Sequence, residues 1–371
     1  MTRYRHGLTA GLIASLFATT AAAQDESLIP GSTVIGQSFG LPGVVGEMEA
    51  GETDLVLEAA VFFKNLELIG FDELDGQTFF GAVAPVRLRH AFTDAVSLEL
   101  GVVAGHDFGD DDALSDVDPL VRIAIKPTET SAIVAGTLIS SHWAHQALFD
   151  DTNALRDLSE QGLQVRIDRT RFRHDSWVNW RVEEGEVDPE EFEIGSTSRV
   201  ALAGGRVGLD AQVLYTHAGG QISTSRRVDN DFAVMGGASL ATGPVWDGRF
   251  ADLRAGLNGF YSVRDRKGES ATNGSGVEAY LQADADLTDR LRTRLGAGYF
   301  NGSDYTAPKG DPLYQFDDYT WARGSFVWDL GRGVAAETGL TLQNAAGNTN
   351  YTANINLTLN SAFLFRGVQR R

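Results

Sequence analysis

The 371-residue sequence contains no cysteine. That excludes a disulfide frame, a thiolate metal site and a cysteine nucleophile. Beyond its first residues it also lacks any run of the eighteen or so apolar residues that a membrane-spanning helix requires. Basic residues are scarce, with 31 Lys and Arg against 50 Asp and Glu. Nucleic-acid binding rests on phosphate neutralisation by Lys and Arg, so nucleic acid is not an expected partner. No phosphate-binding glycine loop or dinucleotide fingerprint follows a strand, and no cofactor is expected.

The N-terminus is better endowed. Arg3 and Arg5 precede the compact apolar run Leu8 to Ala18, and Ala21-Ala22-Ala23 precedes Gln24. A short basic segment, a short apolar segment and small residues form a secretory signal layout, which assigns residues 1–23 to a signal peptide. Removing Arg3 and Arg5 leaves 29 basic residues against 50 acidic, a net charge of −21. An exported chain without disulfides needs a large core or an extensive hydrogen-bond network instead.

The remaining chain alternates. Leu163, Val165 and Ile167 interleave with Gln164, Arg166 and Asp168; Val178, Trp180 and Val182 interleave with Asn179, Arg181 and Glu183. The same two-residue period runs through Val86–Arg89, Val96–Val102, Val121–Lys126, Leu281–Leu287, Ala336–Gln343 and Thr352–Asn360. Helices would need apolar residues three and four apart. A period of two instead sends successive side chains to opposite faces of a sheet.

Short polar connections fall near residues 92–94, 126–128, 169–173, 204–205, 243–248, 288–290 and 331–332. Between them lie longer polar stretches, near 65–76, 105–117, 140–160, 184–195, 218–229, 264–274, 301–317 and 344–350. Seven short connections alternating with eight long ones give about sixteen strands (14–18), with both ends on the short side. The fold class is therefore all-β: a transmembrane antiparallel β-barrel over residues 53–371, with short periplasmic turns and long external loops. Closure satisfies every backbone polar group in lipid. Phe79, Phe80, Trp177, Trp180, Tyr261, Tyr299, Trp321 and Trp328 are placed to form interfacial girdles. Residues 24–52, rich in glycine and proline from Pro30 to Gly46, are expected to be a periplasmic tether or a small plug.

These strands, and turns such as Leu287-Thr288-Asp289-Arg290, resemble the porin-like class of outer-membrane proteins from about Asp54 to Phe365. Barrels of that class commonly end in an aromatic residue; this chain has Phe363 and Phe365 followed by Arg366 to Arg371. The resemblance implies residence in the bacterial outer membrane and partners in its lipid, its lipopolysaccharide and the barrel assembly machinery. A homo-oligomer is compatible with it.

If the apolar set faces lipid, the polar set lines the lumen. Its basic members are Arg87, Arg89, Arg122, Lys126, Arg166, Arg181, Arg199, Arg254, Arg292, Arg294 and Arg323, interleaved with acids such as Glu99, Asp168, Asp284 and Asp286. A basic bias would favour anionic solutes. Alternatively the charges pair across strands, with Asp286 opposite Arg292 and Asp284 opposite Arg294. The longest loop, Ser140 to Gln161, carries His142, Trp143, His145, Asp150 and Asp151. It is expected to fold inward and constrict the pore, with Trp143, Leu148 and Leu155 against the wall. The acidic stretch His106 to Asp118 reads as a solvated loop, with divalent ions bridging lipopolysaccharide phosphates as the livelier reading. Three functions follow. The leading one is a passive or gated channel for small or anionic solutes, not an enzyme, with no catalytic or metal residues assigned. The second is an outer-membrane hydrolase of lipid or envelope glycan, using the serines and histidines of that loop. The third is the barrel component of an envelope-polymer export system.

Overall fold

The computed structural model describes residues 48–71, 74–111, 116–140, 142–153, 157, 159–222, 228–243, 250 and 252–365, with side chains as far as 359. The expected signal peptide and most of segment 24–52 lie outside the described residues, as do Asp112 of the acidic loop, Ser141, Leu155 and the Arg366–Arg371 tail. Sixteen strands form one antiparallel sheet that closes on itself. They are β1 (Thr53–Glu67), β2 (Gln77–Thr93), β3 (Val96–Asp107), β4 (Asp116–Thr128), β5 (Ser131–Thr137), β6 (Gln161–Arg169), β7 (Phe172–Val182) and β8 (Glu190–Leu202). The second half comprises β9 (Val207–Gly219), β10 (Asp229–Ala241), β11 (Asp252–Arg266), β12 (Thr272–Thr288), β13 (Leu291–Ser303), β14 (Asp318–Gly331), β15 (Val334–Ala345) and β16 (Asn348–Phe365).

Every strand pairs with its sequence neighbours, and β1 closes the barrel on β16 from Thr53 opposite Phe365 to Glu67 opposite Tyr351. Phe365 thus ends the last strand. Among the described residues no helix is long and apolar enough to cross a membrane; the strands do the crossing. The chain enters beside the β2–β3 turn, where the Gly51 N–H donates to the Ala91 carbonyl and the Ala50 N–H to Asp94. That places the start of β1 at the short-turn end. One expected long loop is instead a hairpin of two residues between β15 and β16. Ala346 and Gly347 both take positive φ (49° and 79°), the geometry that matches strand twist in a tight hairpin.

The alternation resolves into two faces. Leu55, Leu57, Val86, Leu88, Leu163, Val165, Leu257, Leu281 and Leu357 point outward, while Glu58, Arg87, Glu99, Gln164, Asp175 and Glu278 are buried within. The exposed apolar residues form the lipid-facing band. Outward aromatics include Phe80, Trp180, Tyr261 and Tyr299. The girdle expectation fails for Trp177 and Trp321, which are 2% and 7% exposed and belong to an apolar cluster inside the barrel. Phe79 also packs inward, on the cluster of Phe62, Val83, Val103 and Leu120. The larger cluster draws Trp177, Met235, Phe260, Tyr280, Phe300 and Trp321 from β7 to β14 together with loop residues. The lumen wall is therefore polar on one side and aromatic on the other. Glycine makes that possible: a Cβ at Gly195 would lie 2.0 Å from the Trp177 ring, so the indole lies flat across β8.

Candidate functional site

The inward charges pair. Arg87 bridges Glu58 (2.6 Å) and Glu99 (2.9 Å), and Arg122 reaches Glu99 (3.1 Å) and the Thr137 and Leu138 carbonyls. Arg89 makes two bonds to Asp54. Asp168 takes Arg173 at 2.9 Å, and Arg254 takes Asp252 at 2.9 Å. Arg292 meets Asp286 and Arg294 meets Asp284, each at 3.0 Å, in the register the Thr288–Arg290 turn dictates. Arg323 donates to Thr341, and the more exposed Arg181 faces Asp157 and Glu191. Lys126 sits half-buried at a lumen-side position of β4. Fixed charge is thus cancelled locally rather than arrayed as a basic ring.

The segment between β5 and β6 turns into the lumen. His142 stacks on Trp177 (3.8 Å between centroids, 13° between planes). Its Nε2 donates to Glu160 at 2.7 Å and its Nδ1 to Asp175 at 3.1 Å. Trp143, at φ 53°, lies under the Arg166 guanidinium at 4.1 Å. Ala147 N–H donates to His145 Nδ1, leaving the proton on Nε2, which is 3.0 Å from Glu278. Lys64 on β1 holds Asp151 in a short contact and Asp150 at 3.6 Å. A second segment, 304–317, joins from above β13 and β14 and is not evident from the sequence. Tyr305 donates to the Ala147 carbonyl, and Tyr314 to Glu278 at 2.7 Å. Glu278 also accepts from Asn258 (2.8 Å) and Trp321 (2.9 Å). One carboxylate therefore ties both segments to the wall.

Burial and charge contend within this plug. Burial disfavours the His142 imidazolium, but Glu160 and Asp175 outweigh it and raise the ring to about 10. Burial pushes Glu160 up to about 7 against the pull of His142, and Asp150 up to about 7 against that of Lys64. Asp151 goes the other way: burial opposes its charge, yet Lys64 holds it well below the usual carboxylate range. Neither His142 nor His145 has a free ring nitrogen to activate a hydroxyl. The loop therefore does not assemble a serine–histidine pair on these two rings. Among the described residues no group of three His, Asp or Glu is arranged around a metal.

A serine–histidine pair exists elsewhere, on the outer wall. His174 and Ser176 are two apart on β7, opposite Ser198 and Ser196 of β8. Their neighbours at the same parity, Val178, Trp180 and Ile194, face lipid. Ser176 Oγ lies 3.0 Å from His174 Nε2, His174 Nδ1 lies 2.8 Å from Ser198 Oγ, and Ser196 Oγ lies 2.8 Å from Ser176 Oγ. Phe172 stacks alongside the imidazole. A hydroxyl in reach of a base, itself oriented by a third group, is the arrangement of an activated nucleophile. Here the third group is a hydroxyl rather than a carboxylate. The sequence carried the signal: continuing the parity of Val178 and Trp180 backward puts Ser176 and His174 on the lipid face, where polar residues are out of place.

Residues 45–366 match the lipid A 3'-O-deacylase-type family over most of the chain. The chain belongs to that family. Membership overturns the expectation of a protein without enzymatic activity, since this is a family of enzymes. A strand pattern reports architecture and is blind to which few side chains on it do chemistry. A search of curated protein sequences returned no match. Solved structures share the fold. A loop L8 deletion mutant of OmpT, an outer membrane protein of Vibrio cholerae, is 11% identical with a TM-score of 0.54, covering 84% of this chain and 100% of its own. In-vitro folded OmpT of the same organism in its trimer form is 10% identical with a TM-score of 0.53 over 84% and 100%. This family member is a porin-like β-barrel of the bacterial outer membrane.

Proposed function

We propose that the chain hydrolyses an acyl ester of a membrane lipid at its outer wall, with Ser176 as nucleophile and His174 as base. The observation that carries this reading is the 3.0 Å contact between Ser176 Oγ and His174 Nε2 on the lipid-facing side of β7. Family membership supports it independently. Nε2 takes the Ser176 proton as Oγ bonds to the ester carbonyl carbon. The carbon–oxygen bond to the alcohol breaks, and the imidazolium returns its proton to that leaving oxygen. Water then attacks the acyl-serine, giving up a proton to His174, and the fatty acid departs with Ser176 restored. Ser198 keeps Nε2 aimed at the nucleophile by holding Nδ1; Ser196 accepts from Ser176 at rest, and once that proton has moved to His174 its own hydroxyl is free to turn toward the carbonyl oxygen.

The test is fatty-acid release from total outer-membrane lipid by the refolded barrel, followed by mass spectrometry. Ser176→Ala and His174→Ala should each lower the rate by about a thousandfold or more. Both variants should keep the heat-modifiable migration of a folded barrel. Equal release by wild type and Ser176→Ala would overturn the assignment.

A second reading, a gated channel for small or anionic solutes, is favoured by one observation. Between the plug and the wall lies a cavity of about 310 Å³ lined by Asp157, Arg181, Glu191, Asp231, Arg266 and Lys309. Such a charged vestibule would admit hydrated solutes if the plug moved aside. The paired wall charges argue for weak selectivity in that case, so neutralising Arg292 and Arg294 should change the reversal potential little.

A further inference from the structure

We propose that the cavity between the plug and the wall binds a small organic cation carrying two amino groups, entering from the external side; this is independent of the hydrolase reading. The cavity, of about 310 Å³, lies at the long-loop end of the barrel, where β8 and β10 begin and β9 ends. Strand register sets its floor. Glu191 of β8 pairs with Ala218 of β9, which pairs with Asp229 of β10; Glu193, Thr216 and Asp231 form the next row, deeper in the barrel. All six alternate onto the inner face. The β9 residues between are small, so each row presents two carboxylates on either side of β9. Neighbouring strands are about 4.8 Å apart, which sets the acids of a row about 10 Å apart. Phe192 and His217 have the opposite parity and pack on each other at the outer wall.

The second ground is charge. Asp157 and the four acids of the two rows line the cavity, against Arg181, Arg266 and Lys309. Both arginines are shared: Arg181 faces Asp157 and Glu191, and Arg266 faces Asp229 and Asp231. Arg264 also reaches Asp231, at 3.5 Å, from an exposed position. Glu193 is different, with its side chain only 1% exposed. Its Oε1 accepts from Trp177, while Oε2 accepts no hydrogen bond among the described residues. The Lys309 ammonium stands 3.5 Å from Oε2, beyond the about 2.8 Å of a charge-assisted bond. A buried carboxylate oxygen without a donor is costly, and an ammonium entering the cavity would supply one. A second amino group on the same guest would then reach Asp231, across β9 in the same row. Two contacts of about 2.8 Å within about 10 Å leave about 5 Å between the nitrogens, the span of a short diamine. A bare metal ion fits less well, since among the described residues no three acids are grouped to hold one.

The test is titration calorimetry of the refolded full barrel with putrescine at low ionic strength, with butylamine as the control that carries a single ammonium. Saturable binding at one site, roughly tenfold or more tighter for putrescine than for butylamine, is the expected result. Glu193→Gln and Asp231→Asn should each weaken it by about tenfold. Lys309→Ala should tighten it, because it removes the resident ammonium and keeps the main-chain carbonyl that holds Asp150 and Asn153. Asp110→Asn with Asp111→Asn, in the exposed β3–β4 loop, should leave the affinity within a factor of about two. Each variant is checked for the heat-modifiable migration of a folded barrel; if Glu193→Gln fails, Asp231→Asn and Lys309→Ala decide. No saturable heat, equal affinity for the two amines, or weaker binding by Lys309→Ala would overturn the proposal. So would a loss in the loop variant as large as that in the cavity variants. Fatty-acid release at Ser176 is read separately and is unaffected by any of these outcomes.

Discussion

His142 is one imidazole with a carboxylate on each nitrogen and an indole against its face. Because its folded value of about 10 exceeds the usual 6.5, its contribution to stability is fully present below pH 6.5 and is lost as pH rises through about 10. A glutamine there is neutral throughout; it leaves Glu160 without its imidazolium partner and Asp175 to the more distant Arg166, at 3.9 Å. At pH 7 His142→Gln should therefore destabilise the plugged barrel by about 3 kcal/mol. The gap between the two proteins should close above pH 10, as the wild type loses its own proton. Urea midpoints read from heat-modifiable migration at pH 7, 9 and 10.5 would check this; a gap independent of pH would mean that ring packing, not charge, is what matters. On the outer face of β7, across the wall from His142, His174 meets the hydroxyls of Ser176 and Ser198 instead of carboxylates.

At the level of elements, β8 is shaped by its neighbour. With a Cβ at Gly195 only 2.0 Å from the Trp177 ring, Gly195→Val must expel the indole and with it the support beneath His142. A cost of about 1–3 kcal/mol is expected, with faster proteolysis of the 138–160 segment and unchanged strand content. Glu278→Ala on β12 removes the acceptor shared by His145, Asn258, Tyr314 and Trp321. Proteolysis should then quicken in both inward segments together, which distinguishes a shared anchor from two separate ones. These contacts also show where the sequence stops being readable. Six of the seven expected short connections, the two faces and the Asp284–Arg294 and Asp286–Arg292 pairs are local features that alternation and neighbour register make readable, while the connection from Ala241 to Asp252 is longer than expected. Trp177 and Trp321 escape that reading. Alternation places them on the inner face, but only the long-range arrival of segments 138–160 and 304–317 turns that face into a core. The His174–Ser176 pair was legible in principle, since it needs only parity and one adjacent strand. It stays hidden while attention rests on the serines and histidines of the longest loop.

For the whole molecule, sixteen strands make a lumen wide enough for an aqueous path, and the two inward segments obstruct it. In planar bilayers the wild type should show few or no stable open steps. Glu278→Ala combined with His142→Gln should show larger and longer ones; conductance equal to that of the wild type would mean the lumen stays blocked by other contacts. Neither outcome bears on the proposed lipid hydrolysis, whose residues lie on the outer wall and do not need an open lumen.

The plug touches Lys64 on β1, Asp175 on β7, Gln212 on β9 and Glu278 on β12, and it takes the Lys309 carbonyl from the β13–β14 connection. Those partners run from the first strand to β12 and the β13–β14 connection, more than two hundred residues later. The His142–Asp175 contact is local, but the full set requires the sheet to have wrapped far enough to bring β1 and β12 to one lumen. Docking of the plug is consequently the last event of biogenesis. During refolding, amide protection in the strands should come before protection of the loop backbone at His145 and Asp150. A barrel stalled before the β1–β16 seam closes should carry every hairpin yet leave those amides exchanging freely.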